Sequence, residues 1–186
     1  TMIIGGFQAM NLAEAVYFNS TVNAAQTRIV HEYLAAKYGL SLTDGSNTIN
    51  LYTNTAYTSD LIGIGQEADL VAGGSESHLH ATGGGLELKA DAFAADGDYV
   101  LAAHDGSPLA TDGAWSRTYY VQTAGNGGTV QMVFDFDKAG LTLGDISQYQ
   151  LHYAADDPAS MTDMGLTATA DGNKLVFTLE DVADGY

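Results

Sequence analysis

The sequence of 186 residues contains no cysteine, two prolines and only six basic residues. The absence of cysteine excludes a disulfide framework, so packing, assembly or a bound metal ion must stabilise the fold. No apolar run approaches the length of a transmembrane helix, so we expect no membrane insertion. A chain of this length buries about two-thirds of its surface on folding, which is enough for a full core.

The length suits a single domain, and we expect one ligand-binding domain over residues 1–186. Thr1 is not an initiator residue, and both ends look cut. We therefore expect this domain to be a segment excised from a longer chain, with flanking domains on either side.

The six basic residues stand against 23 acidic residues, which gives a formal net charge of −17. Such a surface repels nucleic acid and anionic membranes and attracts divalent cations. Aspartate dominates the acidic residues and clusters with glycine and asparagine, a composition typical of calcium-binding turns. The alternative explanation is an acidic surface that only improves solubility in salt.

The segment "NSTVNAAQTRIVHEYLAAKYG" predicts a helix over about residues 21–38. Ser20 or Thr21 is the expected N-cap, and Gly39 is the expected left-handed residue at the C-terminus. One side of the helix is apolar and is expected to pack on a sheet. The side expected to face water carries three polar residues, Gln26, Arg28 and Glu32.

The rest of the chain predicts strands. Residues Met2–Phe18 predict one or two of them, and after Leu42 short strand-like segments alternate with turn residues every 8–14 positions. These segments are "TINLYT", "DLIGIGQ", "LHATGGGLELKA", "DYVLAAH", "RTYYVQTA", "TVQMVFDF", "YQLHYA" and "KLVFTLE". We expect a mainly β fold, an antiparallel β-sandwich or jelly-roll with one helix in its N-terminal region.

Four segments resemble modules of large bacterial surface proteins of the RTX-adhesin type. "LAEAVYFNSTVNAAQTRIVHEYLAAKYGLSL" is similar to the closing strand of a laminin-G/concanavalin-like unit followed by a helix ending in "YLAxKYG". "YTSDLIGIGQEAD", "DGDYVLAAHDGS" and "WSRTYYVQTAG" resemble stretches that follow this helix in those proteins. The resemblance spans about residues 8–136 in the same order.

The resemblance implies an extracellular, cell-surface β-sandwich that binds ligands in a calcium-dependent way and takes part in cell adhesion and biofilm formation. One subtype of these modules grips the free C-terminus of a protein through a bound calcium ion. The expected partner is therefore a protein or peptide on a host or neighbouring cell.

Six aspartates in or beside turns are the candidate calcium ligands, because a carboxylate pair around a glycine turns its oxygens toward one point. The alternative for each is an ordinary turn with an Asx hydrogen bond. The candidates are Asp60, Asp69, Asp96, Asp98, Asp105 and Asp112.

The candidate ligand-binding surface combines the glycine-rich loop "LVAGGSESHLHATGGGLEL" with the acidic loops and the single tryptophan. Glycines allow backbone to approach a ligand closely, although a permissive hairpin is the equal alternative. The candidate residues are Gly74, Ser75, Glu76, Ser77, His78, Asp105, Asp112 and Trp115. His78 and His80 would share one face of a strand and form a weak transition-metal candidate if His104 joined them.

The sequence shows no nucleophile elbow, phosphate-binding loop or serine–histidine–aspartate spacing, so we expect a binding protein rather than an enzyme. The leading hypothesis is a calcium-dependent module that binds a peptide C-terminus. A carbohydrate-binding module and a purely structural spacer are the alternatives.

Overall fold

The computed structural model of the protein describes residues 13–186. These residues form a helix, α1 (Ala24–Tyr38), and fifteen strands. The first eight strands are β1 (Thr43–Asp44), β2 (Asn47–Thr48), β3 (Ser59–Ala68), β4 (Ser75–His78), β5 (His80–Gly83), β6 (Leu86–Ala90), β7 (Tyr99–His104) and β8 (Ala110–Thr111). The others are β9 (Ala114–Trp115), β10 (Tyr119–Ala124), β11 (Val130–Asp135), β12 (His152–Tyr153), β13 (Thr162–Asp163), β14 (Thr169–Asp171) and β15 (Lys174–Leu179).

Two antiparallel sheets form the body of the protein. The first sheet has the strand order β10-β7-β3-β4, and the second has the order β14-β15-β11-β6-β5. The hairpins β1-β2, β8-β9 and β12-β13 lie outside these sheets. The predicted mainly β, antiparallel fold with one helix is confirmed, and its architecture is consistent with a β-sandwich.

Three layers result, because buried side chains lie on both faces of the first sheet. Side chains such as Ile64 and Val100 pack against the second sheet, in a cluster that includes Leu88 and Phe177. Leu101 and Tyr99 face the other way and pack with Ala25 of the helix. Alternate residues of β7 therefore serve two cores, which explains why all six residues of this strand are buried.

Two glycines of β3 allow the helix layer to approach the first sheet. A Cβ atom on Gly63 would lie 2.6 Å from a Leu101 methyl group and 3.3 Å from Ile29 of the helix. A Cβ atom on Gly65 would lie 2.1 Å from a carbon of the Tyr99 ring. The "GIG" segment is thus required by packing, since alternate positions face the helix side and have no room for a side chain.

The helix begins three residues later than predicted. Asn23, not Ser20 or Thr21, is the N-cap, because its Oδ1 accepts from the Gln26 amide at 2.8 Å while Gln26 Oε1 accepts from the Asn23 amide at 3.0 Å. Gly39 ends the helix with φ 62°, as predicted. No helix among residues 13–186 is long and apolar enough to cross a membrane.

The prediction that Glu32 faces water is wrong: its side chain is fully buried. Glu32 Oε2 accepts from the Tyr52 amide at 3.0 Å, and its Oε1 lies 3.2 Å from an Arg28 guanidinium nitrogen. Arg28 also donates to the Ile49 carbonyl. Gln26 and Arg28 are partly buried, because Gln26 lies beside His78 of β4 and Arg28 contacts the chain that follows β2.

Most predicted strands are confirmed, but four are not found as such. Residues 13–18 form no strand, and the rest of the predicted segment Met2–Phe18 lies outside the described residues. "LHATGGGLELKA" forms two strands, β5 and β6, instead of one. "TINLYT" contributes only Thr48, at the end of β2, and "YQLHYA" only His152–Tyr153. In both segments the remaining residues pack irregularly, with Tyr52 and Ala154 buried.

A carboxylate on the outer face of the second sheet binds two lysines. Glu87 of β6 contacts Lys174 of β15 across β11, and it lies 3.1 Å from Lys89 Nζ and 3.4 Å from His80 Nε2. Burial raises the pKa of Glu87, but the hydrogen bonds from Lys174 and Lys89 outweigh it and lower the pKa to about 2. This cluster ties three strands together.

The buried carboxylate of Glu32 provides a test of the helix contact. Glu32→Leu should lower the free energy of unfolding by about 3 kcal/mol or more, because it leaves the Arg28 charge and the Tyr52 amide without their acceptor. The double variant Arg28→Met/Glu32→Leu should recover much of this loss. His31→Ala, at an exposed neighbouring position, is the control. The free energy of unfolding is measured in urea, and an equally small loss in Glu32→Leu and His31→Ala would contradict the buried contact.

The Glu87 cluster predicts an acid-dependent loss of stability. Because the pKa of Glu87 falls from 4.5 to about 2 on folding, its contribution is complete above pH 4.5 and is lost as the pH falls toward 2. It amounts to about 3 kcal/mol at most. Melting temperatures of the native protein and Glu87→Gln should therefore converge between pH 5 and pH 3; a constant difference across this range would contradict the assignment.

Candidate functional site

The second sheet and the edge of the first enclose a cavity of about 500 Å³. Its walls are the inward-facing residues of three strands, which recur at every second position as the pleat requires. These residues are Tyr119 and Val121 of β10, Met132 and Phe134 of β11, Phe136 directly after it, and Leu175, Phe177 and Leu179 of β15. The lining is therefore predominantly apolar and aromatic.

Trp115 forms one end of the cavity. Its ring packs edge-on against Phe134, with the ring centroids 5.3 Å apart, and lies 5.6 Å from the ring of Phe136. Trp115 Nε1 donates to the Arg117 carbonyl at 3.1 Å, and Tyr149 meets the far side of Phe136 at 5.4 Å. These contacts fix the rings at this end, so they prop the cavity open rather than fill it.

The outer wall comes from residues 149–164, the segment that contains the short β12-β13 hairpin. Leu151, Met161 and Met164 line the cavity from this side, and Met164 is 41% exposed. Methionine is flexible and polarisable, so it adapts its shape to different neighbours. This wall is consequently the part of the cavity best suited to adjust to a ligand.

Two polar groups at the Trp115 end are already paired with backbone. Arg117 donates to the Ser107 and Gly84 carbonyls at 2.8 Å each. Tyr119 donates its hydroxyl to the Gly84 carbonyl at 2.6 Å. Burial raises the pKa of Tyr119, so this hydroxyl stays protonated and remains a donor. Both side chains therefore hold the turn at Gly84 and offer few free donors to a ligand.

The opposite end of the cavity is acidic. Met132 pairs with Phe177 and Val130 with Leu179, so Glu180 and Asp181 lie beyond the end of β15 that is distant from Trp115. Both residues line the cavity, and both are exposed. Neither carboxylate accepts a hydrogen bond from another side chain or amide in residues 13–186. The cavity is thus an apolar channel with free carboxylates at one end.

A cavity of this size and lining suits a small molecule. Ligand pockets in proteins span about 300–1,000 Å³ and are mostly apolar with a few placed polar groups. An unfilled apolar cavity costs stability, because the side chains around it lose contacts. The arrangement can enclose an apolar body and leave one polar group at the acidic end.

The model of one protein family, described as a domain of unknown function (DUF8202), matches residues 26–186. The chain belongs to this DUF8202 family. No curated protein and no solved structure gives a significant match. The matched residues include most of the helix, both sheets and every residue that lines the cavity, so the cavity lies within the DUF8202 domain.

Of the predicted ligand-binding residues, only Trp115 lines the cavity of the DUF8202 domain. Most of the segment from Gly74 to His78 forms the edge strand β4, and three of its groups hold the N-terminus of the helix. Glu76 Oε2 accepts from the Ala24 amide at 2.6 Å, the Ser77 carbonyl accepts from Asn23 Nδ2 at 2.9 Å, and His78 Nδ1 lies 3.3 Å from Gln26 Nε2. Ser75 pairs with Ala68 of β3.

The predicted calcium ligands are engaged at separate places. Asp98 accepts from the Ala95 and Asn126 amides with its two oxygens, and Asp69 accepts from the Val71 and Ala72 amides. Hydrogen bonds of this kind stabilise ordinary turns, which is the alternative to calcium binding for these two aspartates.

The other four predicted calcium ligands also lie at separate places. Asp60 lies 3.1 Å from His104 Nε2, Asp96 accepts from Gln66 Nε2, and Asp105 accepts from the Ser107 amide. Asp112 lies at the tip of the β8-β9 hairpin. Among residues 13–186, no three acidic or histidine side chains converge on a common point suitable for a metal ion.

The histidine pair does not share a face of one strand. His78 ends β4 in the first sheet, and His80 begins β5 in the second sheet. The prediction is wrong because it assumes that both histidines belong to one continuous strand. The chain instead changes sheets at Leu79, between them. His104 is buried, and both of its ring nitrogens are engaged, by Asp60 and by the Gly106 amide.

The glycine-rich turn at Gly83–Gly85 is close to protein atoms rather than open to a ligand. A Cβ atom on Gly84, whose φ is 59°, would lie 2.8 Å from His104 Nε2. A Cβ atom on Gly85, whose φ is 90°, would lie 2.6 Å from Leu109. Both the backbone angles and the packing therefore require glycine here.

Calcium dependence remains a prediction from composition and resemblance, and chelation tests it. A calcium ion bound only to the native state at 100 times its Kd adds about 2.7 kcal/mol of stability, so EDTA should lower the Tm. Excess magnesium in place of calcium is the control for general charge screening. An unchanged Tm in EDTA would contradict the calcium prediction.

Proposed function

We propose that this DUF8202 domain is a ligand-binding module that encloses the hydrocarbon part of an amphiphilic small molecule. The observation that carries this proposal is the apolar cavity between the sheets, with Trp115, Phe134 and Phe177 in its walls. Burial of hydrocarbon in such a space gains about 25 cal/mol for each Å² removed from water. The polar groups at its Trp115 end are held by backbone, which favours binding over catalysis.

A small molecule fits the cavity better than a peptide, because the neighbouring backbone is already paired. Val121 of β10 exchanges hydrogen bonds with Gly185, at 2.7 and 3.0 Å, and the Thr123 amide donates to Asp184 at 2.7 Å. The edge of β10 is therefore covered and cannot add a peptide strand. A peptide in the apolar channel would bury amide groups without partners, which costs free energy.

The proposed function is ligand binding, as the sequence also predicts, but the proposed site is the cavity instead of the glycine-rich and acidic loops. Carbohydrate sites need more polar partners than this lining offers, since each buried sugar hydroxyl requires a hydrogen bond. The cell-surface, adhesin-type setting and a protein or peptide partner remain predictions from resemblance. The cavity argument depends on neither of them.

Trp115 is the only tryptophan in the chain, so its emission reports directly on the cavity. Titration with 1-decanol, a neutral single-chain probe, should shift this emission to shorter wavelength and saturate. Val121→Phe adds a ring to the cavity wall and should weaken binding by at least about tenfold, a change of about 1.4 kcal/mol. Thr178→Phe, on the outward face of β15, is the matched control and should leave binding unchanged.

Circular dichroism should show that both variants keep the fold. A titration that does not saturate, or equal binding by Val121→Phe and Thr178→Phe, would contradict the proposed function.

A further inference from the structure

The acidic end of the cavity has a consequence for the ligand's polar group. Glu180 and Asp181 are adjacent, exposed and without hydrogen-bond donors among residues 13–186, and both line the cavity. From this geometry we infer that the ligand is a single-chain amphiphile with a cationic head group. The inference rests on the proposed function, because the hydrocarbon chain must occupy the cavity for the head group to reach these carboxylates.

The residues that line the cavity follow one another along the strands, so its two ends carry different side chains. Lining residues of β11 and its continuation run from Met132 to Phe136, a distance of about 13 Å at the rise of a strand. Trp115 and Phe136 lie at one end of this row, and Glu180 and Asp181 follow Leu179 at the other. A linear chain in this space has its polar end beside the two carboxylates.

Within residues 13–186, the cavity lining contains no lysine, and its one histidine, His152, precedes Tyr153, whose hydroxyl donates to the Asp184 carbonyl. The cavity lining includes two groups that can carry a positive charge, Arg117 and His152. Arg117 is bound to backbone carbonyls at the opposite end, and His152 is exposed, with its Nε2 3.4 Å from Gln150 Oε1. An anionic head group would meet two like charges, whereas a cationic one would be attracted by both.

The backbone of Asp181 holds this residue in an uncommon conformation. Its φ is 52°, in the left-handed region where aspartate and asparagine are tolerated better than other non-glycine residues. Asn at this position therefore removes the charge and keeps the backbone. Gln at position 180 does the same for an exposed side chain, so the double variant Glu180→Gln/Asp181→Asn changes charge with little change in shape.

Three probes with the same ten-carbon chain test the inference: decyltrimethylammonium, 1-decanol and decanoate, titrated by Trp115 emission below their micelle concentrations. Decyltrimethylammonium should bind at least about tenfold more tightly than decanoate, because two carboxylates at a partly exposed site act on its charge. The double variant should reduce this ratio to about threefold or less and leave the Kd of 1-decanol unchanged. Added salt should reduce the same ratio.

The control for the general negative charge is Asp44→Asn/Asp91→Asn, which removes two exposed carboxylates that do not line the cavity. This control should keep the full preference for the cation. Equal affinities for the three probes, or an equal loss of preference in both double variants, would overturn the inference while binding of 1-decanol still supports the proposed function. Failure of all three probes would contradict the proposed function itself. Tighter binding of an apolar peptide with an N-terminal lysine than of decyltrimethylammonium would assign the site to a polypeptide and overturn the inference of an amphiphile.

Discussion

The chain passes from the first sheet to the second within one residue, at Leu79, and this crossing ties the sheets together along one edge. His78 ends β4, His80 begins β5, and the Leu79 carbonyl accepts from the Ala90 amide of β6 at 3.0 Å. At the other side, the chain leaves β15 at Leu179 and pairs with β10, where Val121 and Gly185 exchange two hydrogen bonds. The rings of Trp115, Phe136 and Tyr149 line the cavity between the sheets.

The distribution of charge follows from how few basic residues the chain has. Arg28, Lys37, Lys89, Arg117 and Lys174 are bound to carboxylates or backbone carbonyls within the described structure. Most of the 23 acidic residues consequently have no basic partner in residues 13–186. The excess of acidic residues therefore remains largely without neutralising partners, and such a charge attracts cations in general.

Sequence patterns predicted those parts of the fold that depend on local rules. Gly39 ends the helix because a left-handed residue is needed there, and the alternation in "TVQMVFDF" and "KLVFTLE" correctly indicates strands. Glu32 was assigned to solvent because helical spacing cannot show that Tyr52 covers it. Glu76 resembled a ligand residue, yet its carboxylate binds the amide of Ala24, which lies 52 residues away in sequence.

The cavity could not be predicted from the sequence, because its existence depends on the distance between two sheets. The alternation of apolar residues identifies Met132, Phe134 and Phe177 as inward-facing. It does not show whether their side chains contact the opposite sheet or leave a space. Residue type and acidic neighbours single out Trp115 in the sequence, but they do not show that its ring packs against Phe134 and Phe136 beside the cavity. The abundance of aromatic residues is the feature of the sequence that relates to the cavity, since large rings can hold two sheets apart as well as fill a core.

The central claim is that the space between β10, β11 and β15 stays open and apolar in the folded protein. Crystals of the protein under xenon pressure test this most directly, because xenon enters dry apolar cavities and is located by its scattering. The account predicts xenon between the side chains of Met132 and Phe177. A structure without xenon there, with Trp115 and Phe134 packed into the space, would contradict it.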